Sequence, residues 1–284
     1  MKIDLSFRLG RWERMSLAVI GLLTVLGFII LMEGRNEAMN KPIVVRYAID
    51  TAPKGFRPIK IAFISDMHVG GWCMSLDDEA LRGIAEQVRE LSPDLIVLGG
   101  DYAGTEGGFE KALAPLSGLA APLGVVAVLG NHEYENDRNA KDMAVTLRRN
   151  GFAPLVNDHV DVGPIVVAGL DDLWKGESDI AEAGRAMADA NGRPVVLVSH
   201  NPDVFPQVPR GIALTLAGHT HGSHAVFPLI GTIVSSSRFG QRFRHGLIHE
   251  KDREMVVSSG LGGVAFRWNV PPEIALITLG PRRD

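Results

Sequence analysis

The chain has 284 residues, 29 Lys+Arg against 33 Asp+Glu, and a formal net charge of -4. Its basic residues are scattered, with no run and no aromatic-basic stripe, so nothing in the charge pattern provides a footprint for nucleic acid. The one cysteine, Cys73, excludes an internal disulfide framework and, with no activating partner near it in sequence, reads as a small hydrophobe rather than a reactive thiol.

The first predicted element is apolar. Met15 to Met32 is an uncharged stretch of 18 residues flanked by Arg14 and Glu33. As a helix it extends about 27 Å, against a bilayer hydrocarbon core of about 30 Å. Lys2, Arg8, Arg11 and Arg14 precede it with Asp4 and Glu13 opposing, while Arg35, Lys41 and Arg46 follow it diluted by Glu33 and Glu37. The positive-inside rule then places residues 1–14 in the cytoplasm, residues 15–32 across the cytoplasmic membrane as a single span, and the rest outside. The run is long for the apolar region of a cleaved signal, and Leu31-Met32-Glu33 offers no small-x-small cleavage site, so it reads as an anchor. No twin-arginine pair precedes the run.

Residues 33–42 are polar and read as a tether leading to an alternating strand over Ile43 to Asp50, so that 33–54 forms a tether with a first strand and 55–284 a single domain without linkers. Buried strands are predicted over Ile59–Ser65, Leu95–Leu98, Val125–Leu129, Val195–Val198 and Leu214–Ala217. Helices are predicted over Ser75–Leu91 with a start capped by Ser75 and Asp78, Phe109–Leu119, Asn139–Asn150 closed by Gly151, and Asp179–Ala190 closed by Gly192. Gly246–Glu250 and Glu254–Ser258 read as a hairpin, and Glu273–Leu279 as a last strand. The alternation argues for a layered α/β fold, and the hairpin makes a sheet mixed.

Each of the five buried strands ends at a polar motif: Asp66-Met67-His68, Gly99-Gly100-Asp101, Gly130-Asn131-His132-Glu133, Ser199-His200-Asn201 and Gly218-His219-Thr220-His221. Taken singly, Asp-x-His and Gly-Gly-Asp are common turn sequences. Together they supply carboxylates, imidazoles and one amide oxygen, the mixed N/O set that suits a pair of divalent transition metals. Two side chains at i and i+2 after a strand can point the same way, and five of the nine histidines fall at these ends. His159, His245 and His249 read as structural, while His224 sits one turn past the last motif.

The ordered pattern D-x-H, G-D, G-N-H-D/E, H, G-H-x-H resembles the calcineurin-like metallophosphoesterase superfamily over residues 59 to about 280. The resemblance implies a four-layer αββα sandwich of two mixed sheets flanked by helices, and a dinuclear centre of Mn, Fe or Zn. It assigns Asp66, His68 and His221 to the first metal, Asn131, His200 and His219 to the second, and Asp101 as the bridge. His132 would act on the substrate, with Glu133, where many members have Asp, as the carboxylate able to orient it. Ser258-Ser259-Gly260-Leu261-Gly262, Phe266-Arg267 and Pro271-Pro272-Glu273-Ile274 resemble a bacterial membrane-anchored branch. That branch includes broad phosphodiesterases and a UDP-2,3-diacylglucosamine pyrophosphatase of lipid A synthesis. It usually reads Gly-Gly-Gln after the last motif, whereas this chain has Gly222-Ser223-His224, so no substrate carries over. Arg267 and His224 are candidates for phosphate contact.

Two divalent ions with Asp66 and Asp101 would leave two positive charges, which suits one bridging hydroxide and one phosphodiester anion. The reading is therefore hydrolysis of a P–O bond in a phosphodiester or pyrophosphate, with lipid-linked substrates among the candidates. An inactive metal-binding scaffold would show gaps in the ligand set, and the sequence shows none. Neither a Gly-x-Ser-x-Gly elbow nor a phosphate-binding Gly-Lys loop is present.

Overall fold

The computed structural model describes residues 10–70, 76–104, 108–135, 139–232 and 234–283. Lys2, Asp4, Arg8, Cys73 and Ser75 lie outside the described residues. The helices are α1 (Arg11–Met39), α2 (Asp78–Glu90), α3 (Phe109–Leu113), α4 (Ala140–Arg149) and α5 (Ala181–Asp189). The strands begin with β1 (Ile43–Ala52), β2 (Ile59–Ile64), β3 (Leu95–Leu98), β4 (Val125–Ala127), β5 (Ala153–Pro154) and β6 (Asp158–Asp161). They continue with β7 (Val166–Gly169), β8 (Val195–Val198), β9 (Leu214–Ala217), β10 (Gly246–Glu250), β11 (Arg253–Val257) and β12 (Glu273–Pro281).

One sheet runs β1-β12-β2-β3-β4-β5 and the other β10-β11-β9-β8-β7-β6. Both are mixed: β12 is antiparallel to β2, and β6 and β10 are antiparallel edges on the parallel run β7-β8-β9-β11. Alternation along the strands splits the core into three slabs, because successive side chains face opposite sides of a sheet. Ile59, Ile61 and Phe63 of β2 point between the sheets, where they meet Val196, Val198, Leu214 and Leu216. Ala62 and Ile64 point the other way, onto Leu81, Ile84 and Val88 of α2 and Leu147 of α4. On the far side, Ala168 and Leu197 pack against Ala183 and Ala186 of α5. The result is helix, sheet, sheet, helix, and strands buried on both faces explain the continuous apolar runs in the sequence.

Several elements differ from expectation for local reasons. Asp77, not Asp78, caps α2, accepting from the Ala80 N–H at 2.8 Å. α3 stops at Leu113 and tightens into a 3-10 turn over Ala114–Leu116, since Pro115 has no N–H to continue the helix. The stretch read as a tether is helical as far as Met39, and only residues 40–42 separate α1 from β1. Along α1 an 18-residue window has mean hydropathy 2.6 and is 0% buried, so it is no core helix and is long and apolar enough to cross a membrane.

Candidate metal centre

The parallel strands β2, β3 and β4 of one sheet and β7, β8 and β9 of the other end at a common edge, and their following loops are stitched together by backbone bonds. The Asp66 N–H donates to the Gly100 carbonyl at 3.0 Å and the His68 N–H to that of Asp101 at 3.0 Å. The Gly218 N–H donates to the His200 carbonyl at 2.9 Å, and the Gly262 N–H to that of Asp66 at 2.8 Å. Glycine is required where a carboxylate passes the backbone: a Cβ on Gly130 would lie 2.3 Å from Asp101 Oδ1. Gly100, at φ 91°, makes the turn that allows this approach.

Three clusters result, each with ligand atoms within 4.8 Å of one another: Asp66, His68 and His221; His68, Asp101 and His132; and Asp101, His200 and His219. Asp101 Oδ2 lies 3.4 Å from His68 Nε2 and 3.2 Å from His200 Nε2, so one carboxylate oxygen stands between the two outer clusters. His221 Nε2 is 3.6 Å from Asp66 Oδ1. His200 Nδ1 is 2.8 Å from the Gly99 carbonyl, a contact that keeps a proton there and leaves Nε2, which faces Asp101, as the atom a metal would take in place of a proton.

Buried polar atoms are almost always paired, yet His68 Nε2, Asn131 Oδ1, His200 Nε2, His219 Nε2 and His221 Nδ1 have no hydrogen-bond partner among the described residues. Five such buried nitrogen and oxygen atoms on one spot fit divalent cations. Burial lowers the His68 pKa to about 4 and that of His219 to about 3, and it holds His221 well below its ordinary value. These rings are therefore neutral at pH 7, the form that ligates. Burial pushes the Asp66 carboxyl up to about 6, with the His200 charge opposing and that of Asp101 adding. For Asp101 burial also acts upward, but His200 and His68 beside it outweigh that and hold it below the usual range.

His132 sits on the open side, its side chain 27% exposed, with its ring centroid 4.6 Å from that of His68. Two expectations are corrected. Glu133 does not orient His132: its buried carboxylate accepts from the backbone N–H groups of Asp101, Tyr102 and Gly130 at 2.7, 2.9 and 2.8 Å. Burial and then the Asp101 charge raise its pKa, and the converging N–H donors oppose this and favour the anion. The carboxylate beside His132 is Glu135, with Oε1 3.1 Å from Nδ1. Arg267 is fully buried and does not face a substrate; its guanidinium donates to the carbonyls of Ser259, Val270, Gly260 and Gly262. His224 is exposed on the rim, its ring 5.6 Å from that of His221.

The sequence reading missed the end of β7, where Asp171, Asp172 and Trp174 follow. Trp174 packs edge-on to His219 at 4.2 Å, and Tyr134 donates its hydroxyl hydrogen bond to Asp171. Asp172 is buried with Oδ2 unpartnered, and the His200 charge acts on it. The signal was present, since Ile165-Val166-Val167-Ala168-Gly169 repeats the pattern of an apolar run ending in acids.

Residues 59–223 match the calcineurin-like phosphoesterase family. The chain belongs to that family. It is 30% identical to the metallophosphoesterase YkuE of Bacillus subtilis over 80% of this chain and 81% of that protein. It is 28% identical to the phosphodiesterase YaeI of Escherichia coli, covering 83% and 87% of the two chains. To the UDP-2,3-diacylglucosamine pyrophosphatase LpxG of Chlamydia trachomatis it is 27% identical over 77% and 83%. The protein is a hydrolase acting on phosphoric ester bonds, in a family that uses a dinuclear divalent metal centre.

Proposed function

We propose that the protein is a membrane-anchored, metal-dependent phosphodiesterase or pyrophosphatase with its domain outside the cytoplasm. The observation that carries the reading is the set of unpartnered, buried ligand atoms around Asp101 Oδ2. Asp66, His68 and His221 would hold one ion, Asn131, His200 and His219 the other, and Asp101 both. When bound, the ions activate water and neutralise the phosphoryl oxygens. The chain supplies the rest. Asp101 and Asp66 contribute only two negative charges, which leaves the site attractive to an anion carrying one or two charges. His132, 27% exposed beside the cluster, donates a proton to the leaving oxygen, and Glu135 Oε1 lies 3.1 Å from its Nδ1. Trp174, 46% exposed over His219, provides an apolar wall for the leaving group.

The test is hydrolysis of bis(p-nitrophenyl) phosphate beside p-nitrophenyl phosphate by the full chain in detergent, stripped of metal and reloaded with manganese, iron or zinc, with UDP-2,3-diacylglucosamine as the pyrophosphate probe. Metal-restored turnover that favours diester or pyrophosphate is expected. Turnover independent of metal, or confined to the monoester, refutes the reading.

A further inference from the structure

Beside the candidate centre an apolar loop projects into solvent. Leu229 is fully exposed, and Ile230 and Val234 are 68% and 67% exposed, in a protein whose other large apolar side chains are mostly buried or on α1. The loop is not frayed: the Phe227 N–H donates to the Gly231 carbonyl at 2.8 Å and the Gly231 N–H returns to Phe227 at 2.9 Å, closing a turn around Pro228, Leu229 and Ile230. Its base is fixed to residues 268–269. The Val226 N–H donates to the Trp268 carbonyl at 2.8 Å, the Trp268 N–H to the His224 carbonyl at 3.0 Å, and Asn269 Nδ2 to the Val226 carbonyl at 3.0 Å.

The same segment is fixed to α1. The Arg267 N–H donates to the Gly34 carbonyl at 2.8 Å, and the Asn269 N–H to Glu37 Oε2 at 2.9 Å. Gly34 lies so close to the Phe266 ring that a Cβ there would sit 2.1 Å from its Cε2. Gly34 and Glu37 follow the end of the apolar run at Met32 by two and five residues, a rise of about 3 and 7.5 Å along the helix axis. The headgroup layer on each side of a bilayer is about 5–8 Å thick. Residues 266–269, and His224 bonded to them, are thus held at headgroup height, where Phe266 and Trp268 resemble the aromatic belt of a span. Three residues separate Leu229 from Val226, a span of at most about 10 Å, which is the order of the headgroup layer. The His224 ring meets that of His221 edge-on with centroids 5.6 Å apart, so the mouth of the centre is at that height too.

We propose that the Pro228-Leu229-Ile230 turn inserts into the bilayer that α1 spans, and that the phosphodiester hydrolysed is the headgroup of a lipid in the adjoining leaflet. This rests on α1 as a span and on the phosphodiesterase reading above, and the test separates all three. Full-length protein carrying Cys73→Ser and one of Val25→Cys, Leu229→Cys or Val145→Cys is labelled with an environment-sensitive fluorophore in phosphatidylethanolamine–phosphatidylglycerol vesicles. Val145 lies on α4, at the sheet edge opposite β1. Spin-labelled lipids are expected to quench positions 25 and 229 and not 145. Quenching at 25 alone overturns the insertion and leaves the anchor; no quenching at 25 overturns both.

The substrate half is read with dioleoylglyceryl p-nitrophenyl phosphate in the vesicles against bis(p-nitrophenyl) phosphate in solution. Leu229→Asp with Ile230→Asp should lower turnover of the lipid at least about tenfold, the effect of exposing an apolar anchor. The soluble diester should change by less than about twofold, as for an ordinary surface substitution. Equal losses, or none, overturn the lipid assignment. Failure of the unsubstituted protein on both substrates overturns it together with the phosphodiesterase reading, and the quenching result stands apart.

Discussion

Glu133 separates two accounts of the same motif. If it fixes the backbone of the Asp101 loop, its replacement harms folding first; if it orients His132, its replacement harms turnover alone. The carboxylate receives three buried N–H donors, two on Oε2 from Asp101 and Gly130 and one on Oε1 from Tyr102. Glu133→Ala strands all three at about 1–3 kcal/mol each, about 3–9 kcal/mol together. A loss that large rivals the whole stability of an ordinary domain, about 5–15 kcal/mol, so little folded protein is expected. Glu133→Gln is the informative variant: with its carbonyl in the Oε2 position it keeps two donors and turns an N–H₂ toward the third. The expected loss is about 1–3 kcal/mol, a fall of about 2–12 °C in Tm for a domain of this size. Thermal unfolding of metal-free and metal-loaded protein measures it. A Glu133→Gln variant that melts with the unsubstituted protein while its kcat and pH profile change would refute the reasoning and return Glu133 to His132.

His132→Ala should keep both metals by elemental analysis and lower turnover about 10²- to 10⁴-fold, the usual loss of an acid–base group; unchanged turnover removes it from the mechanism. Arg267→Met should lower Tm and leave KM for a soluble diester alone, because four carbonyls lose their donor and no substrate contact is lost; a raised KM with unchanged Tm would contradict its burial. Chelation should lower Tm, because it removes a stabilisation that grows with free metal and reaches about 2.7 kcal/mol at about 100 times Kd, and scanning calorimetry with and without chelator reads it. His159 supplies a pH test. Its Nδ1 lies 2.5 Å from Glu182 Oε1 and its Nε2 3.1 Å from Asp189 Oδ2, and the Glu182 bond raises its pKa. Folding therefore favours the protonated ring, so its stabilisation is full below about pH 6.5, the ordinary value, and is lost as pH rises through the raised folded pKa. The Tm gap between the unsubstituted protein and His159→Gln should be wide at pH 5.5 and close in alkali; a constant gap would refute the pair.

What the sequence made legible was chemistry placed at strand ends. The apolar run Ile59–Ile64 followed by Asp66 needs no partner to be read, because burial on both faces writes itself as continuous hydrophobicity. What it hid depends on residues far apart. Nothing near Glu133 announces that the Asp101 and Tyr102 N–H groups, about thirty positions earlier, converge on it. Arg267 in a Gly-rich stretch looked like a phosphate ligand, since a guanidinium feeding four carbonyls is visible only once the loop is closed. The residues after Met32 read as a tether because they are polar, yet the helix continues through them, and the missing side chain of Gly34 is the space Phe266 occupies. The β7 terminus was passed over because its acids lack a histidine beside them.

The candidate ligands are brought together by something other than strand alternation. Alternation would aim Asp66 with His68 at one ion and let His219 and His221 reach two adjacent ones, but none of the four is extended. Their φ values are 56°, 48°, 69° and 48°, and Asp101 joins them at 53°. The left-handed region costs a non-glycine residue about 1–3 kcal/mol, least for Asp and His. Here it is held by bonds that leave no alternative, among them those from the Asp66 and His68 N–H groups to the Gly100 and Asp101 carbonyls and from the His219 N–H to Asp66 Oδ1 at 3.0 Å. Asn131 and His200 are outside this group: Asn131 opens a 3-10 turn, and His200 is aimed by its ring contact with the Gly99 carbonyl. One cluster is therefore set by backbone bends and the other depends partly on a side-chain contact. Asp101 belongs to both arrangements, and the Glu133 carboxylate that grips its N–H ties them into one site.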